Sequence, residues 1–300
     1  MPALPPLVAV VGAVEPALLT AWVTHYRGVG VQRFHLAFHF PDHVTPDQRD
    51  HVQAACRELG IAPDLVSCGP WHEDTNPRLR DVLRERASAG WHLLADADEF
   101  HSYPAPLHEV IAAAEESGTG TVGGLMLDRV RADGSLTGWD PAQGLDAAYP
   151  LGAFLAHRLL QGDPRKIVIA HSDVRVASGN HRAEGHRPTN RLLVVVHHFK
   201  WRDGVLADAE RRAAYSADGT WKTTSPARLI EARRLLDHLQ RHGGRIAVDS
   251  ARLNFRPVSL ATVPDWWATE ATRLVATWRP PATAAGQNEP GSMTSTSPSS

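Results

Sequence analysis

Cysteine is almost absent from this chain: Cys56 and Cys68 are the two present in 300 residues. Neither has the spacing of a metal-binding pair, and two thiols cannot make the disulfide framework of a small secreted domain. They read as free thiols of a reducing compartment. No apolar run reaches the roughly 20 residues needed to cross a bilayer. The opening, Met-Pro-Ala-Leu-Pro-Pro, lacks the basic residues and long apolar core of a secretory signal. A cytoplasmic protein is therefore expected, with no transmembrane segment. Charge of one sign is missing too: 31 Lys and Arg stand against 33 Asp and Glu, a net of −2. No general attraction to nucleic acid or to an anionic membrane follows. Histidine, by contrast, is plentiful at 17 residues, several of them beside acids or Arg.

The chain is long enough for a sizeable core. Its first third alternates apolar runs with amphipathic stretches. Strands are predicted at Leu7–Val14, Arg33–Phe40, Pro63–Cys68 and from Trp91. Helices are predicted after Pro16, at about Thr45–Leu59 and at Arg78–Ala89. This alternation argues an α/β fold with a parallel sheet and right-handed crossovers. Further on, a helix is predicted to about Glu116 and a strand at Gly123–Val130. Residues 132–164 look irregular. Short strands are predicted at Lys166–Ala170, Val174–Ala177 and Arg191–Val196. Helical patterns follow at Leu206–Tyr215, Ser225–His242 and Pro264–Trp278. The division expected is a first half over 7–130, a second over 131–215, a helical C-terminal portion over 216–278 and a disordered tail over 279–300, rich in Pro, Thr, Ala and Ser.

Chemistry concentrates at Trp91-His-Leu-Leu-Ala-Asp-Ala-Asp-Glu-Phe100. The first residues suit a strand buried on both faces. Asp96, Asp98 and Glu99 cannot sit unpaired inside a sheet. They belong at the strand's C-terminal edge, where open α/β sheets bind ligands. Asp96 and Asp98 are two apart, so an extended backbone points them the same way. Two convergent carboxylates suit Mg²⁺ or Mn²⁺. The plainer alternative is a pair of aspartates that ends a strand and opens a turn.

His197 and His198 also follow a buried run. If the two strand ends are neighbours, one histidine could join the carboxylates around a metal; otherwise they are satisfied core histidines. Within Ser178–Arg187, Glu184 is a candidate general base and His181 a candidate substrate-orienting residue, against the reading of an exposed charged loop. Glu15 could meet a ligand, or simply favour the positive end of the helix it precedes. Arg78 and Arg80 could meet phosphate oxygens bidentately or line a solvated face.

Taken in order, these segments resemble the family-2-like (family-92-like) glycosyltransferases of the GT-A fold. Glu15–Gly30, with Trp22, His25-Tyr26 and Gly28-Val29-Gly30, resembles the opening of that family. Leu94–Phe100 is similar to its Asp-x-Asp-Glu-Phe segment. Lys166–Ile169, Gly179–His181 and His198-Phe-Lys200 resemble later motifs. Val14 stands where the family usually has Asn, and Ala170 where Arg is common. The resemblance covers about Leu7 to Tyr215. It implies a GT-A-like, Rossmann-like fold: a mostly parallel central sheet flanked by helices. It implies a hexosyltransferase-type enzyme that moves a sugar from a nucleotide-sugar donor to an unknown acceptor (glycan, lipid or small molecule), with Mn²⁺ or Mg²⁺ as cofactor. Under that reading Asp96, Asp98 and His198 hold the metal, Asp98 and Glu184 serve catalysis, and Glu15, Arg80, Asp96 and His181 contact the donor.

Two other functions compete. Haloacid-dehalogenase-like phosphohydrolases also carry Asp-x-Asp after an apolar strand, although usually the first strand, and with Thr or Val next. A non-catalytic carbohydrate- or protein-binding module on a transferase-like fold is the third reading.

Overall fold

The computed structural model describes residues 4–223 and 226–279. Ser225, the expected start of one helix, and all of the expected tail beyond Arg279 lie outside these residues. The chain begins with four strands and three connecting helices: β1 (Leu7–Val11), α1 (Pro16–Val29), β2 (Phe34–Phe40), α2 (Pro46–Glu58), β3 (Leu65–Cys68), α3 (Thr75–Arg86) and β4 (Trp91–Leu94). β4, β1, β2 and β3 lie side by side in that order, all parallel. Local chemistry explains the helix boundaries. Pro16 starts α1, where a missing N–H costs nothing, and Gly30 ends it with φ +105°. Thr45 and Gln48 form a reciprocal capping box at α2.

The period-2 alternation of the strands then assigns the helices to two layers. Leu7, Ala9 and Val11 of β1 share one cluster with Leu18, Trp22 and Tyr26 of α1 and Val52 of α2. Val8, on the opposite face, joins Leu83 of α3 and Leu94 of β4. Each fully buried large apolar side chain contributes about 1.5–3 kcal/mol, and Trp22, Leu18 and Leu7 are fully buried.

The second half breaks the parallel pattern. β5 (Glu99–Ser102) follows β4 after four residues, then α4 (Leu107–Glu116), β6 (Thr121–Val130), α5 (Leu145–Ala148), β7 (Leu151–Ala153), α6 (Leu155–Arg158), β8 (Arg165–His171) and β9 (Val194–His198). α7 (Val205–Ala217), α8 (Ala227–Arg241), β10 (Arg256–Pro257) and α9 (Trp267–Thr277) complete it. The sheet runs β10-β7-β6-β8-β4-β1-β2-β3, with β9 bridging β6 and β5. β8 is antiparallel to β4 and β6, and β9 is parallel to β6 and antiparallel to β5. The fold is α/β with helices on both sheet faces and a helical C-terminal portion. The sheet is mixed rather than mostly parallel, because only the β1–β4 unit is built from strand–helix–strand crossovers.

Three local expectations change. Val174–Ala177 is not a strand; Val176 makes one isolated bridge to Ala183. The 132–164 segment carries α5, α6 and the short strand β7. β5 was not anticipated: all four of its residues are buried although three of them, Glu99, His101 and Ser102, are polar. Gly124 permits the close approach of β9 to β6, since a Cβ there would stand 2.8 Å from the Val194 carbonyl oxygen. Both cysteines are free, Cys56 buried and Cys68 exposed. No helix among the described residues is long and apolar enough to cross a membrane.

Candidate active site

β4 is where the sheet changes character, with parallel β1 on one side and antiparallel β8 on the other. The chain leaves its C-terminal end at Ala95, passes Asp96-Ala97-Asp98, and re-enters the sheet as β5. The turn is tied twice: Glu99 N donates to the Asp96 carbonyl at 3.0 Å, and Phe199 N donates to the Asp98 carbonyl at 2.8 Å. The Asp loop is therefore fastened to the end of β9.

Strand register does the rest. His198 of β9 pairs with Glu99 on one side and with Asp128 of β6 on the other. Residues directly opposite on neighbouring strands face the same way, so Glu99, His198 and Asp128 form one row. Asp128 is fully buried. Its Oδ1 accepts from His198 Nδ1 and from Trp201 Nε1, each at 2.8 Å, and its Oδ2 accepts from Ala156 N at 2.6 Å. That bond turns His198 Nε2 toward Asp98, whose Oδ2 lies 3.6 Å away. Burial alone would lower the pKa of His198, but Asp98 and Asp128 outweigh it and raise it. Burial alone would raise that of Asp98, but His198, Arg202, Lys200 and Lys166 together hold it below the usual carboxylate range.

The other two acids of the loop have their own cation. Lys166, at the start of β8, is 3% exposed; its Nζ lies 2.7 Å from Glu99 Oε1 and 3.1 Å from Asp96 Oδ2, and it donates to the Gly179 carbonyl at 2.8 Å. Burial pushes the Glu99 carboxyl up to about 7, opposed by Lys166. Burial would lower the pKa of Lys166, but Asp96 and Glu99 outweigh it and keep the ammonium charged. Asp96 remains 40% exposed and Asp98 26%.

The structure thus separates the residues singled out from the sequence. Asp98 and His198 come together, while His197 does not face them: it is buried beside Arg129, whose Nη1 lies 3.0 Å from its Nδ1. Glu15 carries no capping bond to α1. It accepts a bidentate pair from Arg202, with contacts of 2.9 and 2.9 Å, and so links the first strand to the segment after β9. Arg80 is 4% exposed. It donates to Asn180 Oδ1 at 2.6 Å, to the Ala177 carbonyl at 3.1 Å and to the Val176 carbonyl, which pins the 176–180 loop. His181 packs beneath Gly179 and bonds the Arg165 carbonyl through Nδ1 at 2.7 Å. Burial and Lys166 push its imidazole down to about 4. Glu184 is exposed on the turn between Ala183 and His186, with no hydrogen bond or ion pair among the described residues.

Sequence reasoning missed Asp128 and Arg202 as members of this site, and gave Glu99 and Lys166 no role. Asp128 carried a signal: it is the one acid in the apolar run Thr121–Val130, and a buried carboxylate requires partners.

Among the described residues no group of three or more His, Cys, Asp or Glu is arranged to hold a metal ion. The donor pair that could face a cation is Asp98 with His198, the histidine backed by a carboxylate as metal-ligating imidazoles commonly are.

No protein-family model matches the chain, and no curated protein matches it significantly. Among solved structures it is similar to Staphylococcus aureus TarS 1–349 in complex with UDP-GlcNAc, at 11% identity over 79% of this chain and 73% of that one, with a TM-score of 0.33. It is also similar to the mannosyltransferase PcManGT from Pyrobaculum calidifontis in complex with GDP-Man and Mn²⁺, at 15% identity over 90% and 80%, TM-score 0.32. A third is HddC from Yersinia pseudotuberculosis, at 11% identity over 43% of this chain, TM-score 0.27; there the likeness spans 60% of the HddC chain. Superpositions this loose leave the function to be read from the chain's own residues.

Proposed function

We propose that this protein is a GT-A-like glycosyltransferase that uses a nucleotide-sugar donor and a divalent cation, Mn²⁺ or Mg²⁺. The observation that supports it most is the meeting of Asp98 with His198 Nε2 at the end of β4, where an α/β sheet places its ligands. Nothing in the separate motifs required those two strand ends to be neighbours. The hydrolase reading gains no support, because Asp96, which would be its nucleophile, is paired with Lys166.

In this proposal Asp98 and His198 hold the cation, with the remaining positions left to donor oxygens and water. When bound, the cation neutralises the charge that builds on a diphosphate leaving group. Lys166 pairs with both Asp96 and Glu99, which leaves Asp98 as the carboxylate facing the donor. Asp96, tethered on one oxygen and part-exposed, can accept from a donor hydroxyl. His181, neutral at pH 7, supports the loop that carries Gly179. Arg80 acts from behind by holding that loop. In an inverting transfer a carboxylate must take the acceptor proton, and Glu184, exposed and without a partner among the described residues, is the proposed base.

A thermal-shift screen of UDP-, GDP-, ADP- and TDP-sugars with and without Mn²⁺ tests this. A shift that requires both one nucleotide class and the metal is the expected result. A well-folded sample that shifts with none of them overturns the proposal in favour of a binding module.

A further inference from the structure

A second cluster of charge lies beside the Asp loop, in a cleft between α7, α8 and the segment after β9. Its charged lining is Lys200, Asp208, Arg212, Arg228 and Glu231, above apolar side chains such as Leu235. The cations come from three separate segments of chain. Arg212 has a partner: its Nε lies 2.7 Å from Asp208 Oδ2. The Lys200 ammonium makes no hydrogen bond or ion pair among the described residues and rests 5.4 Å from the Trp201 ring centroid. Arg228 lies 4.3 Å over the Trp71 ring and makes no ion pair with an acid among the described residues. Glu231 acts on both cations, Asp208 also on Lys200, and Glu73 and Asp96 also on Arg228, yet neither cation is closed into an ion pair among the described residues.

Burial and the neighbouring Arg212 hold the Lys200 ammonium below the ordinary lysine value. Burial and Arg212 likewise act on Arg228, while Asp96 is among the groups that raise it. Lys200 is among the cations that lower Asp98. The cleft and the carboxylate loop therefore share one electrostatic neighbourhood.

We propose that this cleft binds a phosphoryl group, with Lys200 and Arg228 as its principal ligands. A guanidinium held over an indole keeps its N–H groups free for a ligand, and a lysine lining the same cleft adds a point charge; a tetrahedral oxyanion can use both. Only the identity of the phosphoryl bearer rests on the transferase reading. It is either the donor's diphosphate or a phosphate on the acceptor.

The test is calorimetric titration of inorganic pyrophosphate into the full chain with EDTA present. Saturable binding is expected, weakened about tenfold by Lys200→Gln and by Arg228→Gln and restored in part by Lys200→Arg. Arg241→Gln, on the exposed far end of α8, leaves it unchanged. Melting temperatures close to wild type certify the variants. No saturable binding by the wild type, or wild-type affinity retained in both Gln variants, overturns the cleft. A nucleoside diphosphate that competes with pyrophosphate assigns the phosphoryl group to the donor; one that binds alongside it assigns the group to the acceptor. Pyrophosphate binding through Lys200 and Arg228 in a protein that answers to no nucleotide sugar would sink the transferase reading and leave the cleft standing.

Discussion

Asp128 Oδ1 lies 2.8 Å from His198 Nδ1, and no part of that carboxylate side chain meets solvent. The bond fixes which imidazole nitrogen faces Asp98. Removing the charge while keeping the shape, by Asp128→Asn, is expected to weaken Mn²⁺ binding about 10–100-fold. A manganese titration followed by fluorescence or calorimetry measures it. Unchanged affinity would reduce Asp128 to a packing residue.

Asp98 should behave differently from Asp128. It is a quarter exposed, and among the described residues its side chain meets no buried donor besides His198. Asp98→Asn is expected to abolish turnover while the melting temperature stays within about 2 °C of wild type. A large loss of stability would instead mark the Asp loop as a structural turn.

Lys166 is a stability determinant. Without it Glu99, 1% exposed, would be an uncompensated buried acid. Lys166→Met is expected to cost about 3–5 kcal/mol in urea denaturation, and Lys166→Met combined with Glu99→Leu to recover most of that loss. If the double variant is no more stable than the single, the pair is not coupled.

These three residues show what the sequence made legible. Asp98 follows the apolar run of β4 and His198 ends β9, and polarity breaking off an apolar run is visible in one dimension. The first four strands and three helices were readable for the same reason, since β-branched and apolar runs alternate there with 3.6-residue patterns. Asp128 was hidden inside a strand, and its partner stands 70 residues away. β5 was unreadable because Glu-Phe-His-Ser has no strand signature; β9 and Lys166 make burial of its polar residues affordable. Val174–Ala177 looked like a strand, yet the Arg80 and Arg84 guanidinia take carbonyls that a neighbouring strand would have used.

Acidification should unfold the protein through its buried histidines. Burial, aided by Arg129, holds His197 well below its ordinary value; burial, aided by His25, does the same for His101. The unfolded chain takes up these protons near pH 6.5 while the folded chain refuses them, so stability present above pH 6.5 is lost as pH falls. Each group contributes about 1.4 kcal/mol per pH unit in that window. Glu99 works the other way: its raised carboxyl favours the folded state at low pH and loses that contribution as pH rises toward 7. Two histidines outweigh one acid, so the urea midpoint is expected to fall from pH 6.5 to pH 5. His197→Gln should flatten the decline; an unaltered slope would show that His197 is not among the groups responsible.

The row formed by Glu99, His198 and Asp128 has a consequence for how this protein can vary. Each residue arrives on a different strand, and alignment depends on counting in twos along all three. Deleting one residue of β6 ahead of Asp128, or of β9 ahead of His198, would send every later side chain of that strand to the opposite face, and the row would lose a member without any substitution at all. Insertions between Arg131 and Pro150 change no strand count. A library of single-codon deletions, sorted for folded protein and then for turnover, should therefore leave two sharply bounded silent zones inside β6 and β9 while the connecting segment stays populated.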